Sequence, residues 1–185
     1  MAKVSWANFA KGYNESSGAF QDYGFDLRNI ILEETSDPFS SSTSQFYVMQ
    51  TSAYHFVAGD YFSGSFVLGD SFSGIKSGTV NSFTRKYDGK VLGTISGLSL
   101  DYSAVAAAAK TPTKTDDMAL WAKAFAGNDI FSGSKASDRF EGFAGNDTIK
   151  GMGGADKLYG GAGADTFIFS STKDSTMASS GRDTI

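Results

Sequence analysis

Apolar positions follow two different rules along this chain. Up to about residue 110 they come as short runs broken by Gly and Ser, as in FYVMQ (46–50), YHFVAG (54–59) and SGSFVLG (63–69). Runs of that length between turn-forming residues predict a β meander. In SGTVNSFTRKYDGKVLGTISGLSLDY (77–102), Asp88-Gly89 supplies a favoured two-residue hairpin turn. Val80, Phe83, Val91, Ile95, Leu98 and Leu100 are expected on its buried face, although their alternation is imperfect. FDLRNIILEE (25–34) suits strand and helix equally. TPTKTDDMALWAKAFAG (111–127) reads as a linker and one short helix. Thr115 or Asp116 can cap it, Met118, Trp121, Ala122 and Phe125 fall at helical spacing, and Gly127 ends it.

From residue 124 the rule changes. Asp falls at 129, 138, 147, 156 and 165, a strict nonapeptide spacing, and two positions after each comes Phe131, Phe140, Ile149, Leu158 or Phe167. The units are AFAGNDIFS, GSKASDRFE, GFAGNDTIK, GMGGADKLY and GGAGADTFI, from 124 to 168. Their common form is G-G-x-G-x-D-x-U-x, with U apolar. Each unit has a turn half that tolerates unusual dihedrals and a strand half of about three residues. Two units make one full coil, so alternate units stack. Asp129, Asp147 and Asp165 then share one edge and Asp138 and Asp156 the other, with the U residues between two sheets. The expected organisation is all-β: a β-rich N-terminal domain over 1–110, linker and helix over 111–123, and a repeat domain over 124–185.

Composition narrows the possibilities. A chain of 185 residues with 41% hydrophobic residues, 16 Phe and 8 Tyr is expected to fold, burying roughly 70% of its extended surface. The net charge of −4 and the absence of any Lys/Arg run argue against a nucleic-acid partner. With no Cys there are no disulfides and no thiolate metal sites, so bound metal is the natural staple for the repeats. MAKVSWANFAKGY lacks a basic region followed by an apolar run, so no cleaved signal peptide is expected. No apolar stretch approaches the roughly 20 residues of a transmembrane helix.

Stacked carboxylates repel unless a cation lies between them. Calcium suits the repeats because it takes 6–8 oxygens and accepts backbone carbonyls, which Gly-rich turns aim at one point. Zinc does not suit a segment without His or Cys, and magnesium prefers a tight octahedron with retained water. The five in-register units resemble the RTX (repeats-in-toxin) family of type I-secreted bacterial proteins, which fold as calcium-bound parallel β-rolls. The resemblance implies that each ion lies between one turn and the turn two units later. The first turn gives carbonyls from unit positions 1, 3 and 5. The second gives carbonyls from 2 and 4 and the Asp side chain at 6.

Carried over, this implies three complete sites. One joins Ala124, Ala126 and Asn128 to Phe143, Gly145 and Asp147. Another joins Gly133, Lys135 and Ser137 to Met152, Gly154 and Asp156. The last joins Gly142, Ala144 and Asn146 to Gly161, Gly163 and Asp165. The first unit has Ala and Phe in place of two glycines and reads as a cap. Ala136 replaces the position-4 glycine in the second unit, and neither Asp129 nor Asp138 has an upstream turn, so any ion there is incomplete and weak. Downstream, Asp174 and Asp183 keep the nonapeptide register, but 169–177 has no Gly and only Asp183-Thr184-Ile185 keeps the D-x-U form. Asp183 is thus another weak candidate, and an end just after an apolar residue reads as a fragment of a longer protein.

Outside the repeats, chemistry is sparse. The single His, His55, has no H-E-x-x-H helix around it, and Gly69-Asp70-Ser71 does not form a G-x-S-x-G elbow. Tyr54-His55 is similar to the Tyr/His ligation of haem carriers, but a His in an apolar strand is more often structural. Glu33-Glu34 and Asp116-Asp117 are expected to be solvated charges. The aromatics of 46–102 can stack on a sugar, or simply fill a β core. The region also resembles, more loosely, a domain that precedes RTX arrays in bacterial exoproteins, which implies a β-rich cap without a particular activity.

The expectation is an extracellular calcium-binding protein, non-enzymatic, with a structural or adhesive role. Its partners are calcium, a type I secretion apparatus, and extracellular polysaccharide or a cell surface. The alternatives are a non-catalytic fragment of a secreted lyase, lipase or protease, and a haem or sugar carrier.

Overall fold

A computed structural model describes residues 1–6, 12–14, 19–21, 39–40, 45–51, 57–68, 75–87, 90–108 and 114–185. The chain divides into two compact units, Ile30–Ala124 and, apart from the first residues, Lys3–Asn29 with Phe125–Ile185. The contacts divide after Ala124, so the linker and helix segment expected over 111–123 groups with the antiparallel sheet. The N-terminal strand β1 (Lys3–Trp6) groups with the repeats, because it lies parallel to β9 (Ile130–Ser132) with Val4 opposite Phe131. β2 (Gly12–Asn14) and β3 (Ala19–Gln21) form a small antiparallel pair in the same unit.

In the Ile30–Ala124 unit, β4 (Phe39–Ser40), β5 (Gln45–Thr51), β6 (Val57–Leu68), β7 (Ile75–Tyr87) and β8 (Lys90–Asp101) pair antiparallel in chain order. This is the expected meander. The described parts of the apolar segments 54–59 and 63–69 belong to one long strand, β6, whose register shifts between Ser63 and Gly64. Gly64 lies so close to Thr79 that a Cβ would sit 1.9 Å from its carbonyl oxygen. Asp88-Gly89 and the 25–34 segment lie outside the described residues, but β7 and β8 pair up to Tyr87 and Lys90, on either side of that turn.

The imperfect alternation of the hairpin has a physical cause. Val80, Phe83, Ile95, Leu98 and Leu100 are buried, as expected. Between Val80↔Leu100 and Ser82↔Ser96 the register slips, with Gly97 at φ 76°, and the burial phase changes across the bulge. A second slip between Arg85 and Lys86 shifts the phase before Val91, which is 42% exposed rather than buried.

Two helices follow where one was expected. Asp101 caps α1 (Tyr102–Ala108) by accepting from the backbone N–H groups of Ser103 (2.8 Å) and Ala104 (3.3 Å). The Ser103 hydroxyl, with these N–H groups, holds its carboxyl below the usual range. The alanines that follow favour helix. α2 spans Lys114–Ala124, so Thr115 and Asp116 lie in its first turn rather than before it. Asp117 is buried, contrary to the expected solvated pair, while Trp121 packs edge-on against Phe83 with ring centroids 6.4 Å apart. Phe62 also meets Phe83 edge-on at 5.2 Å. These described aromatics fill a core rather than stand ready for a sugar.

The repeats alternate between two parallel ladders. β9, β11 (Thr148–Lys150) and β13 (Thr166–Phe167) form one, and β10 (Arg139–Glu141) and β12 (Lys157–Tyr159) the other. Ile130 faces Thr148, Thr148 faces Thr166, and Arg139 faces Lys157, each a step of two units. Only the middle residue of each strand points inward: Phe131, Phe140, Ile149 and Leu158 are at most 1% exposed. Phe131 and Phe140 meet across the ladders at 5.5 Å, and Phe125 closes the first end against Phe131 and, stacked, against Phe143. Each such side chain contributes about 1.5–3 kcal/mol by burial. Phe140→Ala is therefore expected to destabilise the folded protein by about 3–5 kcal/mol in chemical denaturation. Ile130→Ala, next to a buried position but itself 37% exposed, is expected to stay below about 1 kcal/mol.

Candidate metal centre

Each turn is tied to the turn one coil earlier by its aspartate. Asp147 Oδ1 accepts from the Asp129 backbone N–H at 2.8 Å, Asp156 Oδ1 from Asp138 at 2.8 Å, and Asp165 Oδ1 from Asp147 at 3.0 Å. The residue before the aspartate repeats the device: Asn128 Oδ1 accepts from Asn146 N–H, Asn146 Oδ1 from Ala164 N–H, and Ser137 Oγ from Ala155 N–H. The sequence assigns these three residues a role through their carbonyls alone. Their side chains as stacking ladders are legible in the shared N-D and S-D steps.

The second carboxylate oxygen points to the function. Asp147 and Asp156 are 1% exposed, and the Oδ2 of each is buried with no hydrogen-bond partner. A buried, unpaired carboxylate oxygen is too unfavourable to persist without a cation or a proton. These oxygens lie over the first glycine of their own unit. A Cβ at Gly142 would sit 2.1 Å from Asp147 Oδ2, and one at Gly151 2.3 Å from Asp156 Oδ2. At Gly160 the same holds for Asp165 Oδ2, at 2.1 Å. Position 1 is glycine because the carboxylate occupies the Cβ site.

The left-handed residues divide the turns into two kinds. In 142–147, 151–156 and 160–165, position 2 is left-handed (Phe143 φ 64°, Met152 72°, Gly161 96°) and so is position 4 (Gly145 124°, Gly154 116°, Gly163 135°). The first turn of each edge, 124–129 and 133–138, has no left-handed residue at either position. Left-handed geometry thus begins where a turn has another beneath it. Those turns hold Phe143, Gly145, Asp147, Met152, Gly154, Asp156, Gly161, Gly163 and Asp165, the residues expected to act as the upper half of a site.

Among the expected lower-half residues, Ala126, Asn128, Gly133, Lys135, Ser137, Gly142, Ala144 and Asn146 lie in turns one coil before those carboxylates. Ala124 is the last residue of α2 and falls in the other compact unit. Asp129 is buried and lends its N–H to Asp147. Asp138 behaves differently from the other aspartates. Its Oδ2 accepts from Ser134 N–H at 2.6 Å and from Ser134 Oγ at 3.1 Å. Ser134, which is fully buried, supplies in protein donors what other turns leave open, and sequence reasoning passed over it.

No group of three His, Cys, Asp or Glu side chains that could hold a metal occurs among the described residues. A cation here must draw most of its ligands from carbonyls, which excludes zinc-type sites and suits a hard, oxygen-seeking ion. At Asp147 and Asp156, a carboxylate oxygen buried and unpaired beside Gly-rich backbone fits calcium.

Such turns suit a cation held by backbone carbonyls and one carboxylate. The family model for the RTX calcium-binding nonapeptide repeat (4 copies) matches residues 124–156 and 141–175. This part of the chain is an array of RTX calcium-binding nonapeptide repeats. No curated protein matches the chain.

The turn geometry can be tested at two glycines. Gly145→Ala places a Cβ 2.3 Å from the Gly127 carbonyl oxygen at a φ of 124°, whereas a Cβ at Gly127 meets nothing within 4 Å. Thermal melts with calcium should show a large loss for Gly145→Ala, more than about 1 kcal/mol, and little change for Gly127→Ala. A second prediction concerns pH. Burial, reinforced by the charges of Asp129 and Asp165 and opposed by the Asp129 N–H, raises the Asp147 carboxyl to about 6. Burial likewise raises Asp156 to about 7, with the Asp138 and Asp183 charges adding to it and the Asp138 N–H opposing it. Raised folded-state values stabilise the metal-free fold below the unfolded carboxylate value of about 4, and that stability is lost as pH rises through 6 to 7. In chelator, the β signal of the metal-free repeats in circular dichroism should therefore be least at pH 8 and grow towards pH 5, and a flat profile would contradict it.

Proposed function

We propose that this protein is a calcium-dependent folding module of a type I-secreted extracellular protein with a structural or adhesive role. In this reading, residues 124–168 form a calcium-bound parallel β-roll. The observation that carries it is the pair of buried, unpaired carboxylate oxygens on Asp147 and Asp156. Three turns with left-handed positions 2 and 4, each above another turn, support three complete sites.

The mechanism is a folding switch. Without calcium, the Gly-rich turns must be ordered against their conformational entropy while like charges are buried together, so the unfolded chain is favoured. Such a chain suits passage through a secretion channel. Outside the cell, calcium binds the ordered state alone, adding about 2.7 kcal/mol per site at a hundredfold excess over Kd. Asp147, Asp156 and Asp165 supply charge to the ion, and carbonyls of the paired turns complete its shell.

No helix among the described residues is long and apolar enough to cross a membrane. The reading gives the chain no catalytic role because the sequence around its single His, His55, has no H-E-x-x-H helix, and Gly69-Asp70-Ser71 does not form a G-x-S-x-G elbow. Circular dichroism in EGTA and then calcium should show a coil-to-β transition, and a repeat segment already folded in EGTA would sink the switch. Asp147→Ala should weaken calcium affinity at least about tenfold, or 1.4 kcal/mol, while Asp138→Ala should do less because Ser134 already occupies its Oδ2. Equal losses by calorimetry would contradict this assignment.

A further inference from the structure

Strict nonapeptide spacing places Asp174 above Asp156, one coil later. The structure puts Asp183 there instead. Asp183 Oδ1 accepts from the Asp156 backbone N–H at 3.0 Å, the bond that Asp147, Asp156 and Asp165 make to the aspartate two units before them. Thr184 N–H donates to the Asp156 carbonyl and Leu158 N–H to the Thr184 carbonyl, both at 2.8 Å. Thr184 lies parallel to Lys157. The step from Asp156 to Asp183 spans three units rather than two, so one whole unit has been passed over.

The passed-over unit, FSSTKDSTM (169–177), cannot make the turn. It has no glycine at position 1, where the carboxylate of an intact unit occupies the Cβ site, and none at position 4, where φ is strongly positive. Its aspartate turns inward on its own segment: Asp174 Oδ2 accepts from Ser170 N–H at 2.7 Å and Ser171 N–H at 3.1 Å. Ser175 Oγ in the same segment accepts from Asp183 N–H at 3.1 Å, fastening the loop to the turn that replaces it. The replacing unit, ASSGRDTI (178–185), regains glycine at position 4 with Gly181.

Asp183 also repeats the feature that marks the other sites. Its Oδ2 is buried and has no hydrogen-bond partner, as at Asp147 and Asp156, whereas Asp174 Oδ2 has two donors. The turn differs in two respects, of which the first is Ala178 in place of the position-1 glycine. Residues 179–181 form a single 3-10 turn, and neither Ser179 nor Gly181 is left-handed, so fewer carbonyls converge than in the regular turns.

We propose that Asp183 closes a fourth calcium site against the turn at 151–156, outside the two-unit stacking rule and weaker than the other three. The carboxylate of Asp183 supplies the charge, and Gly151, Gly153 and Ala155 are the residues whose carbonyls stand at positions 1, 3 and 5 of the turn beneath. Water fills more of the shell here than elsewhere, as calcium permits. The inference rests on calcium binding by the repeats, and the test separates the two.

Calcium stoichiometry is measured by calorimetry and by native mass spectrometry on the full chain and on its Asp183→Asn and Asp174→Asn variants. The asparagine amide oxygen can still accept from Asp156 N–H, so the 183 variant keeps its docking bond and loses the charge. Four ions in the parent and in Asp174→Asn, and three in Asp183→Asn with the weakest step missing, are expected. Four ions with loss in Asp174→Asn alone would restore strict register and overturn the proposal. Three ions in all proteins would overturn it while leaving the regular sites standing, and none in any would overturn the calcium reading itself.

Discussion

The repeat segment depends on the two oxygens of one carboxylate being used unequally. One oxygen is held by the backbone N–H of the aspartate a coil earlier, which fixes the height of each turn above the last. The other, at Asp147 and Asp156, is buried with no donor. The first contact ties the turns together, and the second leaves a buried charge that the stack alone does not satisfy. A repeat with both oxygens paired in protein would fold without metal, as Ser134 does locally for Asp138. A repeat with neither paired would have no register. In the proposed switch, dependence on calcium comes from that half-satisfied state.

The glycines follow from the same carboxylate and from the stacking distance. At position 1 a side chain would collide with the carboxylate, and at position 4 it would strike the carbonyl one coil below in a conformation that L-residues avoid. Position 2 is more tolerant: Phe143 and Met152 are left-handed without being glycine. This ordering explains which departures the fold absorbs. Ala136, in place of the position-4 glycine, stands in the first turn of its edge, with no earlier repeat turn beneath to demand left-handed geometry. The glycine-free unit at 169–177 lies where that geometry is demanded, and it is left out of the stack.

Most of the repeat architecture was legible in the sequence because one period encodes both the core and the turns. Phe131, Phe140, Ile149 and Leu158 are buried as the U positions require, and the pairing of every second unit was implied by the alternation of edges. What escaped was long-range or depended on a single side chain. Nothing in KVSW (3–6) announces a strand that lies parallel to β9, because the pairing partner is far away in the chain. Val91 was misplaced because a one-residue bulge reverses a face without leaving a compositional mark. α1 was missed although Asp101 ahead of an alanine run is an N-cap signal, since the strand pattern before it runs on without a turn residue.

The two ends of the repeat array meet the same constraint in different ways. A parallel ladder leaves an unpaired edge at its first and last strand. At the first edge, β1 supplies the missing strand and places Val4, 2% exposed, opposite Phe131. Phe125 then covers the end of the apolar stack. At the last edges, Thr184 extends the ladder of β10 and β12, while β13 keeps an open side with Phe167 only half-buried. Neither the first strand nor the last bridge comes from a regular nonapeptide step. The period therefore builds the middle of the array, and irregular segments brought from elsewhere in the chain finish it. That division follows from the physics of repeats, in which each interior unit is stabilised by neighbours on both sides and a terminal unit is not.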